Sequence, residues 1–275
     1  MKRTCAICPH HCALEEGQTG LCRARVNRGG SVVCENYARV TSLALDPIEK
    51  KPLKRFHPGS MILSAGSYGC NLKCPFCQNY EISTAGADEA AYETIPPEDL
   101  IGRAESLRRA GNIGVAFTYN EPLVGYEYVS DCARLAKEKG LAVVLVTNGM
   151  ICREPWEALL PAVDAANIDL KGFSEACYRA VGGDFETVKA AIALAAKQIH
   201  VEVTTLVVPG LNDDEEMMRR EAAWLAGISE EICLHVTRFF PRYRMRDCAA
   251  TPVKTVVRLA EIARERLKNV YTGNC

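Results

Sequence analysis

The sequence predicts an α/β fold in which a parallel, barrel-like sheet follows a small cysteine-rich N-terminal module. Two observations predict the sheet. Short apolar runs alternate with amphipathic stretches from Met61 onward, and the GxGxxG fingerprint of an open dinucleotide-binding sheet is absent. A third observation sets the module apart: the first 58 residues are rich in turn-forming glycine and proline, and look extended only at 31–33 and 39–45. We therefore expect two domains, an N-terminal module at 1–58 and a barrel at 59–275.

Six apolar runs predict strands that are buried on both faces. They lie at 61–65, 113–118, 142–147, 165–170, 201–208 and 232–240. Six amphipathic stretches predict helices between and after them, at 96–110, 123–139, 154–162, 184–197, 212–226 and 252–267. Strict alternation of strand and helix is typical of parallel strands joined by helical crossovers.

Composition and charge are ordinary for a globular protein. Hydrophobic residues make up 48% of the chain, charged residues 24%, and the net charge is -1. This balance gives no global attraction to nucleic acids or membranes. No apolar run reaches the roughly 18–20 residues of a membrane span, and no signal segment is visible at the N-terminus. We expect a cytoplasmic protein that does not enter a membrane.

The cysteines are unusual in number and in position. The chain has 14 of them, but it is larger than a disulfide-stabilised secreted miniprotein and shows no secretion signal, so we do not expect a framework of disulfides. Gaps of two and three residues are typical of metal ligation, because neighbouring thiolates must converge on one centre. The two dense groups are Cys5, Cys8, Cys12, Cys22 and Cys34, and then Cys70, Cys74 and Cys77.

The second group directly follows the first predicted strand of the barrel. Cys70, Cys74 and Cys77 supply three thiolates and no fourth cysteine lies nearby. A structural zinc site needs four ligands, whereas an iron–sulfur cubane held by three cysteines leaves one iron free for a small molecule. The loop after a strand lies at the carboxyl edge of the sheet, where α/β proteins place their chemistry. A zinc site completed by a distant histidine or cysteine is the alternative.

The segment Cys70-x3-Cys74-x2-Cys77, with an aromatic residue at Phe76, resembles the signature of the radical S-adenosylmethionine (SAM) superfamily. The resemblance implies a partial (β/α)6 barrel of the TIM type, in which the three cysteines are the catalytic ligands of a 4Fe–4S cluster. It also implies that the free iron binds SAM, and that one electron from the cluster cleaves SAM to a 5′-deoxyadenosyl radical, which abstracts hydrogen from a substrate. Phe76 and Asn79, which belong to the same segment, are expected among the cofactor-binding residues.

The ends of the second and third strands resemble SAM-binding motifs of that family. The sequence TYNEP is similar to a Gly-Gly-Glu-Pro motif that contacts the SAM ammonium, although Thr118 and Asn120 depart from the glycine form. Glu121 is a suitable partner for a cation; a strand that ends in a turn with a solvated glutamate is the alternative. Thr147 and Asn148, in a Thr-Asn-Gly sequence, are implied to bind the ribose or the carboxylate of SAM.

The fourth and fifth strands supply the remaining predicted contacts. The Asp-Leu-Lys sequence of Asp169 and Lys171 resembles the pyruvate formate-lyase activating enzymes. Because side chains two residues apart in a strand point to the same side, we expect this pair to form an ion pair or a clamp on a ligand. A purely structural pair is the alternative. Thr204 lies on the fifth strand, which contributes to the SAM pocket in related enzymes.

Four arginines lie among aromatic residues in the segment 237–247, into which the last predicted strand leads. At the mouth of a barrel they can bind an acidic, phosphorylated or polynucleotide substrate. Alternatively, they form a solvated rim or dock the N-terminal module. The sequence leaves this choice open, and with it any binding of nucleic acid.

The N-terminal module has the ligands for a second metal site. Cys5, Cys8, Cys12 and Cys22 have the necessary number and density. A segment so rich in loops has little apolar core of its own, and metal binding can fold such a segment. The spacing does not distinguish zinc from an auxiliary iron–sulfur cluster. Free thiols without metal are the alternative.

A narrower resemblance covers nearly the whole chain. The N-terminal pattern of cysteines and histidines is similar to that of the AmmeMemoRadiSam-system radical SAM enzymes, as are 46–53, 56–59, 237–239 and 270–274. It implies Memo-like and neighbouring-family proteins as partners, besides SAM and a reductant such as flavodoxin or ferredoxin. Members of the group often continue with further cysteines after the final Gly-Asn, so we expect this chain to lack a C-terminal element.

Three functions remain open from the sequence. The first is a radical SAM enzyme with an unidentified substrate. The second is an activase of the pyruvate formate-lyase type, which abstracts hydrogen from a glycine of a glycyl-radical enzyme. The third is a non-catalytic module that binds zinc or nucleic acid through Cys5–Cys22 and the arginine segment.

Overall fold

Fourteen strands and eight α-helices make up the fold, and the computed structural model describes all 275 residues. The strands are β1 (Arg3–Thr4), β2 (Ala13–Leu14), β3 (Arg25–Arg28), β4 (Ser31–Cys34), β5 (Arg39–Val40), β6 (Ser42–Pro47), β7 (Met61–Gly66), β8 (Glu93–Thr94), β9 (Asn112–Phe117), β10 (Ala142–Thr147), β11 (Ala165–Asp169), β12 (His200–Val207), β13 (Cys233–Arg238) and β14 (Asn269–Gly273). The helices are α1 (Tyr80–Ser83), α2 (Pro97–Ser106), α3 (Tyr126–Glu138), α4 (Arg153–Leu159), α5 (Glu175–Val181), α6 (Phe185–Ala195), α7 (Glu215–Ile228) and α8 (Val253–Arg264).

One eight-stranded sheet dominates the molecule, in the order β14-β13-β12-β11-β10-β9-β7-β6. All its pairings are parallel except that of β6 with β7. The edge strands β14 and β6 do not pair with each other, so the sheet stays open. The predicted α/β fold with parallel strands is confirmed. Strand β14 is an addition: only one of its five residues is buried, so it lacks the apolar run of a central strand.

The helices agree with the predicted ones except at their ends and in two short segments. Helix α7 begins at Glu215, because the Asp214 side chain caps it by accepting a hydrogen bond from the Met217 amide at 2.7 Å. Asn212, where the predicted helix begins, instead accepts a hydrogen bond from the Val208 amide in the preceding loop. Helices α1 and α5, of four and seven residues, are the two that were not predicted.

Two apolar clusters lie on opposite faces of the sheet. The larger one, of 55 buried residues, packs the helices against the outer face. The smaller one fills the inner face, where Ile48 and Leu53 from the N-terminal segment contact Ile62, Ala116 and Val144. The same segment is anchored by the buried Glu202, which accepts hydrogen bonds from two backbone amides at 54 and 55, at 3.0 and 2.8 Å. The N-terminal segment therefore fills the interior near the amino ends of the strands.

The N-terminal residues form small antiparallel pairs before they join the main sheet. Strand β1 pairs with β2, β3 with β4, and β5 with β8. Strand β6 pairs with β7 over six residues, so the main sheet crosses the predicted domain boundary at residue 58. The division into two domains remains a prediction. None of the helices combines the length and the apolar character that crossing a bilayer requires.

Candidate active site

The loop after β7 is fixed by a side chain from the neighbouring strand end. The amide group of Asn120 accepts a hydrogen bond from the Ser67 N–H at 2.9 Å and donates to the carbonyls of Tyr68 and Gly69 at 3.1 and 3.0 Å. Asn120 was predicted to contact SAM. The structure directs its side chain to the backbone immediately before Cys70, so its amide positions the cysteine loop.

The three cysteines of this loop share one open cavity. Cys70, Cys74 and Cys77 are free, half-buried thiols that line a space of about 690 Å³. The Cys70 sulfur accepts hydrogen bonds from the Leu72 N–H at 3.4 Å and from the Asn148 amide at 3.7 Å. The Cys77 sulfur lies 3.1 Å from the Ser83 hydroxyl. Such N–H and O–H groups stabilise thiolate sulfur in iron–sulfur sites.

These residues fit a cubane cluster held by three thiolates. Burial, and then the charge of Glu121, raises the pKa of Cys70, while burial raises the pKa of Cys74 to about 11. Binding of iron must therefore displace the thiol protons. No three Cys, His, Asp or Glu side chains in the structure lie at the distances of ligands around a single ion. In a cubane each thiolate binds a different iron, so its ligands are more widely spaced.

Glu121 is a buried carboxylate held by three donors. It is 4% exposed and accepts hydrogen bonds from the Thr147 hydroxyl, the Asn148 N–H and the Leu123 N–H at 2.7, 2.7 and 3.0 Å. The alternative of a solvated glutamate in a turn is therefore wrong. Burial raises the pKa of Glu121 to about 7 although these three donors lower it.

The neighbouring strand ends bring the other predicted contacts to the same edge. Asn148 follows β10, and its amide donates to the Asn71 side chain at 2.9 Å as well as to Cys70. Thr147 is 2% exposed and binds Glu121. Thr118 is buried and directly follows β9, three residues before Glu121 in the chain. Strands β9 and β10 are adjacent in the sheet, which explains why these side chains meet.

Asp169 and Lys171 form an ion pair beside the cysteines. The Lys171 ammonium lies 2.7 Å from an Asp169 oxygen; the Lys171 side chain is largely shielded from solvent and that of Asp169 is about one third exposed. Burial opposes the charged form of Lys171, but the negative charges of Asp169 and of a Cys74 thiolate raise its pKa. The expected pair is thus present. It places a positive charge near a cluster ligand.

Three further predicted residues make no hydrogen bond to the cysteine sulfurs. Phe76 packs into the large apolar cluster. Asn79 donates a hydrogen bond to the Tyr119 carbonyl at 2.7 Å, which joins the end of the cysteine loop to the TYNEP turn. Thr204 donates to the Asn167 side chain at 2.9 Å on the inner face. Their contacts indicate packing and positioning.

Sequence reasoning missed a buried charged group on the inner face. Tyr119 has a positive φ of 74°, and its hydroxyl donates to Asp46 at 2.8 Å. Lys51, whose side chain is 3% exposed, binds the same carboxylate at 2.9 Å. Burial opposes ionisation of Asp46, but Lys51 and Tyr119 lower its pKa. The sequence at 46–53 carries only a family resemblance, and no local spacing indicates that it meets Tyr119.

The arginine segment covers the cysteine loop. The Arg244 N–H donates to the Pro75 carbonyl at 3.0 Å, and Tyr243 stacks on Tyr80 with 4.7 Å between the ring centroids. Arg246 approaches the Tyr80 hydroxyl at 3.3 Å. These contacts lie within the barrel, so the segment does not dock the N-terminal module through them. Tyr243 and Arg244 line the cysteine cavity.

A second large cavity lies at the opposite edge of the sheet. It measures about 740 Å³ and is lined by Phe56, His57, Arg108 and Asp164, among others. These residues lie near the amino ends of the strands, and the lining contains no cysteine. The cysteine cavity at the carboxyl edge therefore remains the candidate active site.

Comparisons with known proteins identify the family. The Radical SAM superfamily profile matches residues 65–222. An uncharacterised protein of Methanocaldococcus jannaschii is 40% identical over 99% of this chain and 81% of its own length. A pyruvate formate-lyase 1-activating enzyme of Escherichia coli is 30% identical, covering 55% of this chain and 63% of that enzyme. The crystal structure of a radical SAM methyltransferase from Sphaerobacter thermophilus shares the fold, with a TM-score of 0.60 and 16% identity over 79% of this chain and 67% of that one.

The family profile spans more than half of the chain and includes all three cysteines. The partial-barrel fold and the enzymatic activity expected from the resemblance are confirmed, and the non-catalytic alternative is wrong. When bound, the 4Fe–4S cluster and SAM supply reductive cleavage of the SAM sulfonium bond to a 5′-deoxyadenosyl radical. The chain belongs to the radical SAM superfamily.

Proposed function

We propose that this chain is the radical SAM enzyme of an AmmeMemoRadiSam-type system and that Cys70, Cys74 and Cys77 are its cluster ligands. The convergence of the three thiols on one open cavity carries the proposal. The resemblance of the motif at 46–53 supports the narrower assignment, and Asp46 and Lys51 of this motif form a buried ion pair on the inner face.

The other predicted residues divide into contact and positioning roles in this proposal. Asp169 and Lys171, whose charges act on Cys74, would together with Thr118 orient the polar groups of SAM. Glu121 would interact with the SAM ammonium while it ties β9 to β10. Asn148 would stabilise the Cys70 thiolate. Phe76, Asn79, Asn120, Thr147 and Thr204 would hold these groups in place.

Partners and location follow from the same proposal. Memo-like and neighbouring-family proteins would supply or carry the substrate, and a flavodoxin or ferredoxin would supply the electron. We place the enzyme in the cytoplasm, because 14 free cysteines suit a reducing compartment. Nucleic acid remains one candidate among acidic substrates, since Arg244 lines the cavity.

The test is SAM cleavage by a cysteine variant. Anaerobically reconstituted Cys74→Ala should lose 5′-deoxyadenosine formation by about a thousandfold or more, because no substitute ligand lies in the loop. Its melting temperature should stay close to that of the wild type, since Cys74 is half-buried at a cavity. Cys248→Ala, which removes an exposed thiol, is the control and should retain activity. Cleavage retained in Cys74→Ala would overturn the assignment of the cluster ligands.

A second candidate function is activation of a glycyl-radical enzyme. The similarity to pyruvate formate-lyase 1-activating enzyme and the Asp-Leu-Lys sequence at 169–171 favour it. Incubation of the reduced protein and SAM with a glycyl-radical enzyme should then produce the EPR doublet of a glycyl radical. Absence of the doublet, while 5′-deoxyadenosine still forms, would exclude this candidate for the enzyme tested.

A further inference from the structure

Four cysteines of the N-terminal module line one small, closed cavity. Cys5, Cys8 and Cys12 lie on the loop that the β1–β2 pair closes at its base, and Cys22 precedes β3. All four are free thiols around a cavity of about 10 Å³. Cys34, the fifth cysteine of the module, is not part of the lining and donates its thiol to Asn36 at 3.0 Å. The fold thus brings four of the five module cysteines to one cavity.

Arg25 contributes a buried N–H that lacks a partner. Its side chain is 5% exposed and lines the same cavity. The two terminal nitrogens bind Glu127 at 2.8 and 2.7 Å, whereas Nε has no hydrogen-bond partner. A buried donor left without an acceptor costs about 1–3 kcal/mol. Sulfur that carries negative charge is an acceptor which would remove this cost.

The cavity lies directly against the loop that carries the first cluster cysteine. His10 Nε2 meets the Asn71 carbonyl at 2.7 Å, and the Asn71 side chain hydrogen-bonds with the Cys8 thiol. At Gly69, an added β-carbon would lie 2.5 Å from the Cys22 carbonyl oxygen. The residues on either side of Cys70 therefore rest on the loops that present Cys8 and Cys22.

We propose that Cys5, Cys8, Cys12 and Cys22 bind a metal centre as thiolates and that the Arg25 Nε–H donates a hydrogen bond to one of the sulfurs. The centre holds the module against the cluster loop and so keeps Cys70 in position. Binding forms metal–sulfur bonds and releases the thiol protons to water, with no change of oxidation state. A volume of about 10 Å³ holds one water-sized group, which favours a single ion such as zinc over a cubane. The thiols do not stand at single-ion distances in this structure, so their side chains must rotate on binding.

Metal analysis of the full-length protein tests the centre apart from the radical chemistry. The triple variant Cys70→Ala, Cys74→Ala, Cys77→Ala removes the ligands of the SAM cluster. After anaerobic purification it should still hold about one equivalent of zinc, or iron if an auxiliary cluster is bound. Adding Cys22→Ser should remove that metal, and adding Cys34→Ser, the matched control, should not. A triple variant without stoichiometric metal overturns the proposal, and this result does not depend on whether Cys22→Ser folds.

The positioning role has its own readout. With the three cluster cysteines intact, Cys22→Ser should lower the iron content and the EPR signal of the reduced cluster by at least about half, because the loop at Cys70 loses its support. Cys34→Ser should leave both at the wild-type level. Full iron content and an unchanged EPR signal in a metal-depleted Cys22→Ser protein would show that the centre does not position the loop.

Discussion

The two cysteine groups of this molecule have the same gaps in opposite order but enclose very different spaces. Cys5, Cys8 and Cys12 are separated by two and then three residues, whereas Cys70, Cys74 and Cys77 are separated by three and then two. The first group, with Cys22, lines about 10 Å³. The second group lines about 690 Å³.

This difference distinguishes their functions where spacing does not. A catalytic metal site keeps a coordination position open to its substrate, whereas a structural site is closed by protein ligands. The second group has three cysteines, an open cavity and polar donors at two of its sulfurs. The first has four cysteines that surround a space with no room for a substrate. The open cavity therefore predicts a catalytic role for the cysteines at the carboxyl edge of the sheet, and the closed cavity predicts a structural role for those of the module.

The largest expected effect is the selective loss of metal on exposure to air. Oxygen reaches the cavity of Cys70, Cys74 and Cys77, whereas the module cysteines are mostly buried. Wild-type protein held in air should therefore lose nearly all its cluster iron and all 5′-deoxyadenosine formation while the module keeps its metal. Metal content per chain, sampled over time and compared with the triple cysteine variant, measures this. Loss of both metals at the same rate would contradict the comparison between open and closed sites.

A smaller effect is expected from a substitution where the two regions touch. Gly69→Ala would place a β-carbon 2.5 Å from the Cys22 carbonyl oxygen, at a φ of +87°. We expect it to lower the free energy of unfolding by about 3 kcal/mol or more and to reduce the cluster iron. Urea unfolding and iron analysis measure the two effects.

Gly59→Ala is the matched control. Gly59 has a similar φ of +80°, but nothing lies within 4 Å of an added β-carbon. Gly59→Ala should therefore lower the free energy of unfolding by only about 1–2 kcal/mol, the cost of an alanine in the left-handed conformation, and leave the iron content unchanged. Equal losses of unfolding free energy and of iron in the two variants would show that the contact between the module and the cluster loop does not support the cluster.

The sequence predicted the sheet because its central strands are apolar runs. The barrel strands β7 and β9 to β13 are largely buried on both faces, which gives each a continuous apolar run in the sequence. Strand β14 lies at the edge with one buried residue and gave no such signal. Strand β6 was recognised as extended, but its pairing with β7 depends on a contact across the expected domain boundary.

The site was predictable where motifs are local and not where residues meet across the fold. The cysteine loop, Glu121, Asn148 and the pair of Asp169 with Lys171 follow from sequence and strand order. The link between Tyr119 and Asp46 spans 73 positions, and that between His10 and the Asn71 carbonyl spans 61. No periodicity carries such information. Likewise, the role of Asn120 in positioning the cysteine loop follows only from its hydrogen bonds in the structure.

The smallest expected effect is a pH dependence confined to the open site. Burial raises the pKa of Glu121 to about 7, so the group is mostly neutral at pH values well below 7 and charged above. If the carboxylate pairs with the SAM ammonium, the affinity for SAM should rise about tenfold between about pH 5.5 and 7. Isothermal titration under anaerobic conditions measures the dissociation constant. Glu121→Gln should bind SAM more weakly and without this pH dependence.

Glu221→Gln is the control for this prediction, because Glu221 also has a raised pKa but lies away from the cysteine cavity. Burial raises its pKa to about 8, and it binds the Thr205 hydroxyl under α7 on the outer face. A raised pKa in the folded state contributes stability below the unfolded value, and this contribution is lost as the pH rises through the folded value. Both Glu→Gln variants should therefore lose less stability than the wild type between about pH 5 and 8. Only Glu121→Gln should also remove the pH dependence of SAM affinity. If Glu221→Gln removed it as well, the pH dependence could not be assigned to an interaction of Glu121 with SAM.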